Sequence, residues 1–169
     1  MKKFKLTSEF IVDISGVKLF RIKALIEFGN VKAGDLGGYI EKEENLSHMG
    51  DAWVSDDARI SGDAQVFGNA RVSGNARVSG DAQVSGDAQV FGDARVSGDK
   101  DYAYAHGFGS CNRTTTFFRL KDGDVGVRCG CFYGTLAQFR DKVCETHGET
   151  KKAQEYLMLA DLMEIRFKN

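Results

Sequence analysis

The 169-residue chain has no proline, three histidines, one tryptophan and four cysteines, and its formal net charge is −1. Each scarcity excludes something. Without proline every residue keeps an amide to donate, which suits a chain built from hydrogen-bonded ladders. The charge balance is +1 over residues 1–49, −4 over 50–99 and +2 over 100–169, so no global field advertises a nucleic-acid or membrane partner. Long apolar runs are missing too. The stretch MKKFKLTSEFIVDISG begins basic but is broken by Glu9 and Asp13, so it reads neither as a signal peptide nor as a spanning helix, and a cytoplasmic location is expected. Cysteines in such a chain read as reduced thiols unless their spacing argues for metal.

What is abundant is a six-residue period. From Gly50 the chain parses into eight hexads, GDAWVS, DDARIS, GDAQVF, GNARVS, GNARVS, GDAQVS, GDAQVF and GDARVS. Ala occupies every third place, from Ala52 to Ala94, and Val or Ile every fifth, from Val54 to Val96. Two residues apart, they face one side of an extended strand. A helix cannot use this pattern, because six is not a whole number of 3.6-residue turns. Gly followed by Asp or Asn supplies a bend where positive φ is cheap. A strand, a bend and another strand must coil, and each hexad needs copies stacked above and below, at about 4.8 Å, to bury its Val and Ala. Asp56 stands where the other seven hexads have Gly, and its bend is expected to survive with mild strain.

The pairing of an aliphatic residue with a small one four places later, Val54 with Ala58 through Val90 with Ala94, resembles the hexapeptide-repeat, left-handed parallel β-helix family. A weaker frame with Ile40 and Leu46 precedes it. The resemblance implies three hexads per triangular coil, and self-association as a dimer or trimer. The segments KLTSEF, GDLGGYIEKEENLS, NRTTTFFRLKDG and GTLAQFRDKV also resemble bacteriophage and prophage proteins of unknown role.

So short an array exposes ends that need caps. Alternation around Ser15-Gly16 marks an N-terminal hairpin. RTTTFFRL, the turn KDGD and VGVRCGCF mark a second. Thr135 opens a capping box with Gln138 for a helix through about His147, stopped by Gly148, and Thr150 begins a last helix with Tyr156, Leu157, Ala160 and Met163 at helical spacing. The expected architecture is mainly β: an N-terminal β cap (1–37), a short left-handed parallel β-helix (38–99) and a C-terminal ββαα unit (100–169).

Stacking every third hexad sorts the outward residues into columns. Face two carries Arg59, Arg77 and Arg95, face three Gln65 and Gln83, and face one Trp53, Arg71 and Gln89. Like charges about 5 Å apart cost on the order of 0.8 kcal/mol in water, so something should offset the arginines. Asp57 and Asp93, two residues before Arg59 and Arg95, are the local offset, and Arg77 has only Asn75 there. A row of guanidinium forks otherwise offers a docking strip for phosphate or carboxylate. Trp53, Phe67 and Phe91 also face outward and invite covering, by the termini or by a partner.

Cys129, Cys131, Cys144 and His147, with Cys111 in reserve, form a candidate zinc set, against the untypical Cys-Gly-Cys spacing and the frequency of cysteine in cores. No metal or other cofactor is expected. Many relatives in the resembled family are acyltransferases with a histidine base, but the repeat itself holds no histidine, and His48, His106 and His147 carry no partner pattern. The sequence therefore reads as a non-enzymatic, phage-type binding protein that displays a rigid surface to a host macromolecule. A host protein is the expected partner and a nucleic acid a further candidate, with no membrane, and the role could be inhibition of a bacterial defence system, as an anti-CRISPR does. A self-associating virion component and an acyltransferase are the alternatives.

Overall fold

The structure, a computed structural model, describes residues 1–109 and 113–168. A hairpin of β1 (Phe4–Val12) and β2 (Lys18–Ala24) leads into β3 (Leu36–Ile40). Eight two-residue strands follow, one per hexad: β4 (Trp53–Val54), β5 (Arg59–Ile60), β6 (Gln65–Val66), β7 (Arg71–Val72), β8 (Arg77–Val78), β9 (Gln83–Val84), β10 (Gln89–Val90) and β11 (Arg95–Val96). They stack in parallel at every third hexad, as β3-β5-β8-β11, β4-β7-β10 and β6-β9, so the chain is a β-solenoid of about three turns.

The repeat's Ala and Val or Ile side chains all lie inside, at most 1% exposed. Amides bond from coil to coil: Arg59 N to Ala76 O at 2.9 Å, then Arg77 N to Ala94 O at 2.9 Å. Small and branched residues share this interior because the rungs leave little room between facing walls. At the corners the glycines take positive φ, and Asp56 does the same at φ +56°. Its carboxylate accepts the amide of Gly74, one coil on, at 3.0 Å, which offsets part of the strain of a non-glycine residue there.

Both ends are capped. At the first end Lys3 Nζ donates to Ala52 O and Gly50 O, and Asn45 Nδ2 donates to Ala64 O and Gly62 O. At the other, Asp99, Asp101 and Thr116 accept from the amides of Gln83, Ser97 and Gln89, and the Tyr102 hydroxyl donates to Gln83 O. These contacts satisfy backbone groups that the last rungs would otherwise leave unpaired. The hairpin does more than cap. It pairs antiparallel with β3 and extends the face-two column into a six-stranded sheet, β1-β2-β3-β5-β8-β11.

The C-terminal unit has more strands than the hairpin marked in the sequence. β12 (Tyr102–Phe108), β13 (Arg113–Arg119), β14 (Val125–Cys129) and β15 (Phe132–Thr135) form one antiparallel sheet before α1 (Leu136–His147) and α2 (Lys151–Arg166), so the expected ββαα order is ββββαα. β15 is only four residues long, too short to show alternation, and β12 follows the repeat after a single tight turn at Asp99–Asp101. The capping box holds: Gln138 N donates to Thr135 Oγ1 at 3.2 Å, and Thr135 N to Gln138 Oε1 at 2.9 Å. Tyr156, Ala160 and Met163 are buried against the sheet with Phe117, Val127 and Phe139.

Candidate functional site

Parallel register aligns the outward residue of each face-two strand. Arg59 lies opposite Arg77, and Arg77 opposite Arg95, each beside its interior Ile or Val. The row runs further than the repeat, because Tyr39 is registered with Arg59 and Arg21 with Tyr39. Arg21 Nη1 donates to the Tyr39 hydroxyl at 2.9 Å, and its guanidinium lies 5.0 Å from the centre of the Tyr39 ring. The upstream frame at Ile40 contained the signal for Tyr39. Arg21 could be placed only once β2 paired with β3.

The offset expected from Asp57 and Asp93 forms no direct ion pair. Among the described residues neither carboxylate forms an ion pair with an arginine of the column, and the guanidinium groups of Arg59 and Arg77 make no ion pair or hydrogen bond. The reason is position. The Asp and Asn places belong to the corners, where they bond along their own columns, as Asn69 Nδ2 does to Asp87 Oδ1 at 3.1 Å. Arg95 turns to backbone instead, donating to Asn75 O at 3.0 Å and Ala94 O at 2.8 Å. Burial first, then the charge of Arg77, lowers its pKa below the usual arginine value, while Asp93 acts the other way and Arg59 lowers it further.

A cavity of about 210 Å³ opens beside Arg59 and Arg77, closed on one side by the Asp13–Ser15 segment of the β1–β2 turn and lined by Leu19, Ser61 and Ser79. Asp13 Oδ1 is held within the turn, accepting from Ser15 N at 2.8 Å and Val17 N at 2.9 Å.

The three outward aromatics have different fates. Trp53 is no exposed binding residue: it is 4% exposed, with Phe28 from the β2–β3 connection set edge-on to its ring at 5.4 Å. A bare Cα at Gly37, where a Cβ would come within 2.7 Å of the indole, lets β3 approach. Phe91 is covered by Tyr133 at 4.9 Å and by the Arg128 guanidinium at 4.7 Å. Phe67 borders an open cavity of about 680 Å³ with Glu43, Glu44, Ser47 and His48. Arg71, in the Trp53 column, donates to Asn30 Oδ1 at 3.1 Å.

The zinc set does not assemble. Cys129, Cys131 and His147 line one cavity of about 190 Å³, but Cys144 is exposed away from it, and Cys111 lies outside the described residues. Among the described residues no group of three His, Cys, Asp or Glu side chains could hold a metal ion. Cys129 is instead bonded within the unit, its Sγ accepting from Thr115 Oγ1 at 3.3 Å.

His48 has no ring nitrogen to spare for acid–base work. Nδ1 accepts from Lys3 N at 3.1 Å, which leaves the proton on Nε2 to donate to Glu43 Oε1 at 2.7 Å. Among the described residues no helix is long and apolar enough to cross a membrane.

Residues 64–80, 70–86 and 88–99 match the family model of the YdcK beta solenoid repeat, and no curated protein matches the chain. The matched stretches carry the stacked Val and Ala rungs and the upper part of the arginine column, and they make this chain a protein of β-helix repeats similar to the YdcK solenoid.

Proposed function

We propose that the chain is a non-enzymatic binding protein whose solenoid presents the Arg59–Arg77–Arg95 column to an anionic surface on a macromolecular partner. The observation that carries this reading is the register of three arginines on successive rungs, two of them without any carboxylate partner among the described residues. Each neighbouring pair costs on the order of 0.8 kcal/mol in water, and an anion laid along the column would offset that cost with charge-assisted bonds. Rigidity adds to it, since a packed solenoid holds the forks in place without an ordering cost at binding. The likeness of the flanking segments to phage and prophage proteins makes the partner a host protein in the bacterial cytoplasm. The specific role is interference with a defence system, in the manner of an anti-CRISPR.

Capture from bacterial lysate by the wild-type protein and by Arg77→Glu, followed by sizing of the complex, tests this. A partner retained by the wild type and lost from the variant, with the variant melting no lower than the wild type, supports it. A partner retained equally by both overturns it.

A second reading, a self-associating structural component, is favoured by one observation. Met158, Leu162 and Ile165 lie exposed at helical spacing along α2. Sedimentation showing growth with concentration, abolished by Leu162→Glu, would select that reading.

A further inference from the structure

We infer that the cleft between the β1–β2 turn and the arginine column is a seat for a single carboxylate side chain on an acidic–apolar protein segment. This rests on the reading of the column as a docking strip and names what the strip recognises.

The guanidinium groups of Arg59 and Arg77 come from adjacent rungs, about 4.8 Å apart, and both border the cleft. Two forks at that spacing can converge on one acceptor group from both sides. The hydroxyls of Ser61 and Ser79, the corner residues of the same two rungs, stand in the same lining and add donors. Asp13 is the one carboxylate in the lining, and the amides it holds in the turn keep it from reaching for the arginines. Two arginines against one aspartate leave room for one more negative charge.

The surroundings exclude a polyanion. The 18-residue period that stacks the arginines also stacks Asp57, Asn75 and Asp93 along one corner, and Asp63 and Asp81 along the other. The positive column is thus a narrow stripe between two acidic ones, and residues 50–99 carry a balance of −4. A phosphodiester backbone, with its dense regular charge, would meet these four carboxylates, one of them paired with Lys42, beside the three arginines. An isolated carboxylate fits between them. Its neighbour in the ligand should be apolar, because Ile14 stands at the rim 96% exposed and Leu19 forms the buried floor.

The test uses the full chain, isotope-labelled, with the arginine Nε–Hε resonances of Arg59 and Arg77 as the readout. One probe is an end-capped peptide with Glu-Leu at its centre, the second the same peptide with Gln-Leu, and the third a ten-residue oligothymidylate. The inference expects saturable shifts at both arginines with the Glu-Leu peptide. Binding should be at least about tenfold weaker with Gln-Leu, as when a charge-assisted bond is lost. It should also be several-fold weaker with Ile14→Ser, and absent with Arg77→Gln, whose amide spectrum reports that it is folded. Tighter binding of the oligothymidylate would overturn the carboxylate assignment and leave the docking strip standing. Glu-Leu binding indifferent to Ile14→Ser would overturn the cleft and likewise leave the strip. No shift at Arg59 or Arg77 with any probe would overturn the inference, while capture of a partner sensitive to Arg77→Glu would still be decided separately.

Discussion

The ammonium of Lys3 donates to the carbonyl of Ala52 at 2.8 Å from a side chain that is almost wholly enclosed, sealing the first end of the solenoid. The same amine reaches Gly50 O at 3.2 Å and lies 4.7 Å from the centre of the Phe28 ring. One residue thus joins the N-terminus, the β2–β3 connection and the first strict hexad.

Burial lowers the pKa of Lys3 from 10.5 to about 8, with Asp51 opposing and Arg71 adding to the shift. Between those values the unfolded chain holds a proton that the folded one has released, so stability from this group rises with pH. Below pH 8 both states are charged and its contribution is flat. Denaturant midpoints of wild type and Lys3→Met should therefore diverge in favour of the wild type from pH 8 to 10.5. A constant difference across that range would contradict the buried cap.

Asp101 works in the other direction. Burial pushes its carboxyl up, but bonds from Ser97 N at 3.0 Å, Ser97 Oγ at 2.8 Å and Arg119 Nε at 3.3 Å outweigh it and hold the pKa below its usual value of 3.8. The stabilisation is present above pH 3.8 and lost as pH falls through the folded value. Asp101→Asn should cost about 1–3 kcal/mol at pH 7, the range for a disrupted buried bond, and should flatten the acid limb of the stability curve. Urea titrations at pH 3 and pH 7 measure both effects.

Gly92 lies beneath the Tyr133 hydroxyl, and Gly86 beneath that of Tyr104, so a methyl at either corner would overlap the C-terminal cap. Gly16 shares the positive φ but has nothing within 4 Å. Gly16→Ala should cost about 1–2 kcal/mol, the backbone price of a left-handed L residue, and Gly92→Ala clearly more. Adding Tyr133→Phe should recover part of the Gly92→Ala loss and none of the Gly16→Ala loss. Equal costs at the two glycines would mean that the cap does not sit on the corner.

Arg77 has an arginine on each side in register. Arg77→Gln should raise stability by about 1 kcal/mol at low ionic strength through relief of repulsion. That gain should vanish near 1 M salt, where the screening length falls to about 3 Å. Thermal melts at the two salt concentrations check it, and destabilisation at low salt would show that the column has an internal counter-charge.

The six-letter period determined the solenoid by itself, because Val and Ala two apart with a Gly bend admit one economical packing, and the stacked column of Arg59, Arg77 and Arg95 follows from counting hexads. Thr135, Gly148 and Thr150 likewise announced α1 and α2 through local capping chemistry. Tertiary structure alone decided what covers the columns. Trp53 looks outward in the repeat and is buried because Phe28, 25 residues earlier, folds over it. Arg21 joins the arginine row only through antiparallel pairing with β3, and Asp13 faces Arg59 only because the hairpin turn reaches that corner. Repeats fix their own neighbours at 18-residue spacing, whereas a flanking segment chooses its place by the surface it can bury, and no local pattern records that choice.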